Sequence, residues 1–161
     1  MINLPELVLF NDYPCYKDYI EYVYSIFKND FLDNPVYYLK QKIVCYREPL
    51  DDNKEASFWH IVTGDLTNTS GRLLDTRRSE RIRWPKPIIK GHTDDSIKVW
   101  ENKKKDKKRK LQERIYFCLD DWSYVIILGK RKNYLWLCTA FPISEDGYKE
   151  KLKKEYLNCQ K

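Results

Sequence analysis

The chain has 161 residues and a net charge of +6, from 30 basic and 24 acidic side chains; 42% of it is hydrophobic and 15% aromatic. That length suits one domain, and apolar runs recurring along the whole sequence exclude a compositionally disordered chain. No apolar stretch approaches the roughly 18 residues of a membrane-spanning helix. The first residues carry neither a basic n-region nor a long apolar h-region, so no secretory signal is read there.

The five cysteines are odd in number, widely spaced and without a CxxC pair, so neither a zinc site nor a redox pair is expected. Most sit in apolar runs, where a free thiol behaves as a small hydrophobe. Free thiols point to a reducing cytoplasm, with no membrane partner.

In chain order, Cys15–Phe27 places Tyr16, Ile20, Val23 and Phe27 at helical spacing, predicting a helix with one buried face. Asn34-Pro35 interrupts. Residues 36–46, rich in Tyr, Val and Ile, read as helix then strand, and Pro49–Asn53 as a turn. The apolar run Ser57–Thr63 is too short for its period to separate strand from buried helix. Gly64–Gly71 is polar and loop-like. Asp75 or Thr76 caps a short helix running through Arg83, which Pro85 and Pro87 then end.

Ile97–Trp100, Arg114–Leu119, Tyr124–Leu128 and Tyr134–Phe141 read as strands joined by short turns, hence antiparallel neighbours. Ser144–Leu157 closes the chain as a helix. Helices, then a strand meander, then a helix make an α+β pattern. The division expected is a single domain over 1–161, with a helical part over 1–50, a core over 57–142 and the closing helix over 144–157.

Four features carry chemistry. His60 lies inside an apolar run, either as a satisfied core histidine or as a general acid or base, because imidazole titrates near neutral pH. His92 follows Gly91 in a polar loop and reads as exposed. The first basic cluster, 72–83, contains Arg77, Arg78, Arg81 and Arg83 followed by Trp84. On a helix, Arg77 and Arg81 repel at i, i+4 unless an anion lies between them. Their forks suit phosphate, and the alternative is a solvated face offset by Asp75 and Glu80. The second cluster, Lys103–Lys110, includes Lys104, Lys105, Lys107 and Lys108. It reads as a solvated loop or as a long hairpin arm gripping phosphates without reading sequence. Thr139 lies near the end of the last strand and is predicted to project opposite to Cys138 and Ala140. It is either a good strand former or a hydroxyl for a phosphate oxygen. No GxxxxGK[ST], GxGxxG, HExxH or Asp-x-Asp pattern occurs, so no nucleotide cofactor and no metal is expected.

Phe58-Trp59-His60-Ile61-Val62-Thr63, then Arg77-Arg78-x-x-Arg81-x-x-Trp84, a long basic insertion, and a meander ending in Thr139-Ala140-Phe141-Pro142 together resemble one known group. It is the barnase–EndoU–colicin–RelE superfamily of small ribonucleases, in its phage- and toxin-associated nuclease branch. The resemblance covers about Ser57 to Pro142. It implies N-terminal helices packed on a four-stranded antiparallel sheet with an RNA cleft on one face. It also implies metal-independent endoribonuclease action, in which the substrate 2′-hydroxyl attacks the adjacent phosphorus and leaves a 2′,3′-cyclic phosphate. His60 would then be base or acid, with His92 or a lysine of 103–110 as its counterpart. Arg78 and Arg81, supported by Arg77, would stabilise the phosphorane, and Thr139 would position an oxygen. Tyr116 or Tyr124 would supply a hydroxyl or a stacking face, and Arg83, Trp84 and the lysines would hold the strand. RNA is the implied partner. A protein inhibitor joins it if the chain is a toxin or defence effector, and the competing expectation is a non-catalytic nucleic-acid or protein-binding module.

Overall fold

The computed structural model of the chain describes residues 2–64 and 73–160. The polar stretch expected as a loop after Gly64, and Arg72 at the head of the first basic cluster, lie outside the described residues. The α+β class holds.

Helix α1, Tyr16–Phe27, buries Ile20, Val23 and Phe27 as the periodicity requires, but Tyr19 completes that face and Tyr16, at the first position of the helix, is exposed. It runs on as a wider π-helical turn, Lys28–Asp33. The wider turn keeps Phe31 on the core side, where its ring lies 5.7 Å from that of Phe27. The next run forms two short strands, β1 (Tyr37–Tyr38) and β2 (Gln41–Val44), with no helix at its start. Residues 56–63, ambiguous in sequence, form helix α2, Ala56–Thr63. Gly64 ends it in the left-handed conformation at φ 79°, and its N–H returns to the His60 carbonyl at 2.7 Å.

Helix α3 spans only Thr76–Glu80 and stops short of the expected Arg83. Arg81 leaves helical geometry, and the 81–84 segment tightens into turns that carry Ile82 into the core. Pro85 and Pro87 do not end a helix here. Pro85 opens a new one, α4 (Pro85–Lys90), where its missing N–H costs nothing.

Strands β3 (Ile97–Lys105), β4 (Leu111–Leu119), β5 (Tyr124–Lys130) and β6 (Leu135–Pro142) form the expected antiparallel meander. The sheet is nevertheless six-stranded and mixed, in the order β1-β2-β6-β5-β4-β3, in place of four antiparallel strands. β2 adds to β6 in parallel through Ile43↔Leu135 and Val44↔Trp136, and β1 pairs antiparallel to β2. Two- and four-residue strands are too short to show alternation in the sequence.

Both faces of the central strands are covered, so Ile115 to Leu119 is an unbroken buried run with no polar alternation. One face, with Phe117, Ile126, Leu128 and Leu137, packs on α1, α2 and α4. The other, with Trp100, Tyr116, Val125 and Ile127, packs against α5 (Asp146–Cys159) through Leu152. Each such aliphatic or aromatic side chain contributes roughly 1.5–3 kcal/mol on full burial. The closing helix begins two residues later than the sequence suggests. No helix among the described residues is long and apolar enough to cross a membrane.

Candidate functional site at Arg78

β2 pairs with β6 only at Leu135 and Trp136, so α2 and α3 close against the rest of that edge. A bulge falls in β6 at the same place: Ile127 pairs with Thr139 but the next residue, Leu128, pairs with Leu137. Thr139 therefore stands in register with Ile127, whose side chain shares a cluster with Cys138. The strict alternation expected for Thr139 against Cys138 does not survive the bulge.

Asp75 caps α3, its side chain accepting from the N–H groups of Arg77 and Arg78. That cap directs Arg78 toward β6. Its Nη1 donates to Thr139 Oγ1 at 3.2 Å and to the His60 carbonyl at 3.4 Å, and its Nε lies 3.7 Å from the Asp75 carboxylate. The guanidinium covers the Phe141 ring at 4.9 Å. Only 18% of the side chain remains exposed, and burial lowers its pKa below the ordinary arginine value, against the opposing pull of Asp75. Three sequence-distant candidates, His60, Arg78 and Thr139, thus meet at one guanidinium. His60 enters through its main-chain oxygen, with its side chain partly buried.

A cavity of about 330 Å³ opens beside this cluster, with Arg77, Arg78, Phe141, Ser144, Glu145 and Tyr148 in its walls. Arg77 and Arg78 give it two cations, Glu145 an opposing carboxylate, and Phe141 and Tyr148 aromatic surface. An anion with a planar apolar neighbour, such as a nucleotide phosphate and its base, matches that lining. Among the described residues there is no cluster of histidine, cysteine and carboxylate side chains able to hold a metal ion.

The other candidates lie elsewhere. Arg81 turns back, donating to the Arg77 carbonyl at 2.9 Å and covering Trp84 at 5.1 Å. The expected Arg77–Arg81 pair on a helical face is absent because α3 ends first. Arg83 donates to the Tyr22 hydroxyl at 2.7 Å, toward α1, and Trp84 Nε1 donates to the Pro5 carbonyl. His92 is not a free loop residue: Nδ1 lies 3.1 Å from the Ile89 carbonyl and its ring meets Tyr38 edge-on.

Neither tyrosine offers a solvent-facing ring. Tyr116 is stacked on Trp100 at 5.1 Å and 9°, and Tyr124 is sealed under Trp84, where burial pushes its pKa well above the tyrosine range.

The second basic cluster is more ordered than a loop. Lys104 and Lys105 belong to β3, and the reversal over 106–110 is organised by Asp106, which accepts from the N–H groups of Lys108 and Lys110. Those bonds, the one from Lys110 foremost, hold the Asp106 carboxyl below its usual value. Lys105, Lys107 and Lys108 are exposed, while Lys104 pairs with Glu155 of α5 at 2.6 Å.

Tyr148, Ser144 and Glu145 were not legible as pocket residues, since a closing helix reads as packing. The weak signal available is Tyr148 standing beside Lys149 and Lys151. Against known protein families, curated proteins and solved structures, the chain matches nothing.

Proposed function

We propose that this chain binds RNA at the Arg78 pocket and cleaves it by 2′-hydroxyl transesterification, as the resemblance to small ribonucleases implies. The observation that carries the reading is the meeting of Arg78, Thr139 and His60 beside a pocket holding a second arginine. In this reaction the 2′-oxygen forms a bond to phosphorus as the P–O5′ bond breaks. A base takes the 2′-hydroxyl proton and an acid supplies one to the leaving oxygen. Arg77 and Arg78 stand against the charge that builds on the phosphorane. Thr139 fixes the Arg78 fork, and His60, whose main-chain oxygen meets that fork, is the residue assigned the proton transfers. The exposed lysines of the β3–β4 hairpin add sequence-independent grip, so affinity falls steeply with salt.

The test is incubation of wild type and His60→Ala with a mixed labelled RNA pool in EDTA. Loss of RNA with cyclic-phosphate ends by wild type alone is the expected result. Intact RNA with both proteins overturns the catalytic part. A second reading, a non-catalytic binder, is favoured by the partners Arg78 already has: Nη1 is engaged by Thr139 and His60, and Nε lies beside Asp75. That reading expects salt-sensitive binding without cleavage.

A ribonuclease of this kind acts as a toxin or defence effector held by a protein inhibitor. Expression of the folded wild type without harm to the host overturns that extension.

A further inference from the structure

β3 is the last strand of its sheet, so one side of it pairs with β4 and the other faces outward. Two main-chain bonds fix which residues face which way. The Asp120 N–H donates to the Ser96 carbonyl at 2.8 Å just before the strand, and the Asp106 N–H donates to the Lys110 carbonyl at 2.9 Å just after it. Bonding alternates along an antiparallel pair. Lys98, Trp100, Asn102 and Lys104 therefore direct their main-chain groups at β4, and Ile97, Val99, Glu101, Lys103 and Lys105 point theirs outward. At that edge the Ile97 N–H donates to the Asp94 carbonyl, and the Cys159 thiol, a weak donor, reaches the Glu101 carbonyl at 2.9 Å. Among the described residues, Val99, Lys103 and Lys105 have no main-chain partner on that side.

An unpaired edge is a template for another strand. This one runs for nine residues along β4 without a bulge and carries no proline. Its chemistry changes along its length. Beside Val99 a cavity of about 500 Å³ opens, with Tyr38, Trp100 and Cys159 in its walls. Beyond Glu101, which pairs with Lys130 at 2.8 Å, the edge turns basic. Lys103 is partly offset by Glu113 at 3.5 Å, but Lys105, Lys107 and Lys108 are exposed and make no side-chain ion pair among the described residues. Those charges repel a second copy of the same edge and attract carboxylates.

We propose that the open edge of β3 docks an acidic, extended segment of a protein partner, which adds to the sheet as a further strand antiparallel to β3. The outward N–H and C=O groups of Val99, Lys103 and Lys105 supply the main-chain bonds. An apolar side chain enters the cavity beside Val99, and alternate carboxylates face Lys103 and Lys105. The thiol on the Glu101 carbonyl gives way to a main-chain N–H, the stronger donor. Docking there does not rest on the RNA reading of the Arg78 pocket. It engages the hairpin lysines, so a bound partner removes their grip on RNA and leaves the pocket untouched.

The test is fluorescence anisotropy with the labelled peptide Glu-Thr-Glu-Thr-Thr-Thr-Val. Beside it stand the same peptide with lysine for glutamate, and the same peptide N-methylated at the residues that face β3. The acidic peptide is expected to bind wild type, and each of the other two to bind about tenfold more weakly or worse. Amide hydrogen exchange reads the alternation directly. Val99, Lys103 and Lys105 are expected to exchange fast in the free protein and slowly with the acidic peptide, while Lys98, Trp100, Asn102 and Lys104 are protected in both. Lys103→Pro removes one outward N–H at a position where an edge strand tolerates proline. With a wild-type thermal melt it is expected to weaken the acidic peptide about tenfold, and more than Lys103→Gln, which keeps the N–H. The peptide comparison uses wild type alone, so it decides the matter if Lys103→Pro misfolds. Binding of the N-methylated peptide as tight as its parent overturns strand pairing and leaves the hairpin as a polyanion surface open to RNA. Equal binding of the lysine peptide overturns the acidic partner. No binding of the acidic peptide, or protection that does not alternate, overturns the docking edge and leaves the Arg78 reading standing.

Discussion

Arg78 Nη1 donates to Thr139 Oγ1 at 3.2 Å across 61 residues of sequence, and this bond ties the short α3 to the bulged edge of β6. A hydrogen bond to a charged group contributes about 1.5–3 kcal/mol. Thr139→Val keeps the shape but removes the acceptor, so a partly buried guanidinium loses one partner. The expected outcome is a loss of about 1–2 kcal/mol in a urea melt, together with weaker RNA binding, and recovery of both by Thr139→Ser. Arg78→Lys is expected to fare worse for binding, because an ammonium cannot reproduce the fork that reaches Thr139 and His60 together. Unchanged stability and binding in Thr139→Val contradicts the tie.

Asp75 acts twice on the same residue, through the N–H of Arg78 at the helix start and through its Nε side chain. Removing a side-chain cap costs about 1 kcal/mol. Asp75→Ala is expected to lose about that much stability, and to lose more RNA affinity than Asp75→Asn, which keeps the capping oxygen. Equal affinities for the two variants would place the whole effect in the carboxylate charge.

Gly64 is the place where α2 ends and Arg78 passes. Its φ of 79° favours glycine, and a Cβ there would sit 3.1 Å from Arg78 Cζ. Gly64→Ala therefore strains the backbone and presses on the guanidinium at once. A destabilisation of about 1–2 kcal/mol is expected, with RNA affinity reduced beyond what Gly91→Ala causes at the end of α4. A melt and an anisotropy titration on both variants check this.

The meander was legible because each of its strands carries three or more β-branched or aromatic residues, with Asp-Asp or Gly-Lys turns among the breaks between them. α1 was legible because Ile20, Val23 and Phe27 repeat at helical period. What escaped reading depends on distant partners. Tyr37–Tyr38 and Gln41–Val44 become strands only because the edge of β6 is there to pair with. α3 stops at Glu80 because Ile82 is drawn into the core, overriding the helical propensity of its arginines. Tyr116 and Tyr124 looked available for stacking, and the covering of both sheet faces removed them; no local pattern reports that a second layer will arrive. Arg78 and Thr139 were legible as residue types and not as a pair, since their meeting depends on a bulge that one inserted residue creates.

Gly129 in β5 illustrates how tightly the sheet and its edge are built. A Cβ at this position would overlap Trp136 Nε1 on β6. Trp136 cannot easily give way, because it is stacked on Tyr46 at 4.5 Å and 10° and lies under Arg131 at 5.3 Å. Gly129→Ala is expected to destabilise the fold by about 1–3 kcal/mol through overpacking. A lowered urea midpoint with an unchanged m-value is the signature, and an unchanged midpoint contradicts the contact.

Stability is expected to fail at alkaline pH for a reason that the core makes specific. Burial pushes the thiols of Cys45, Cys118 and Cys138 from the ordinary 9.0 up to about 12. Burial likewise raises Tyr19, from 10.0 to about 12, against the bond from Ser79 that lowers it. Each group ionises more readily when unfolded, so its contribution is fully present below the unfolded pKa and is lost as pH climbs toward the folded one. The window is therefore pH 9 to about 12, with the unfolded state releasing protons first. Urea melts taken through that window are expected to show a steady fall that Cys118→Ala makes shallower. The exposed Cys15 and Cys159 are expected to react with a thiol reagent in the folded protein, while Cys118 and Cys138 react only on unfolding. A pH-independent midpoint through the window, or rapid labelling of Cys118, contradicts the buried-thiol account.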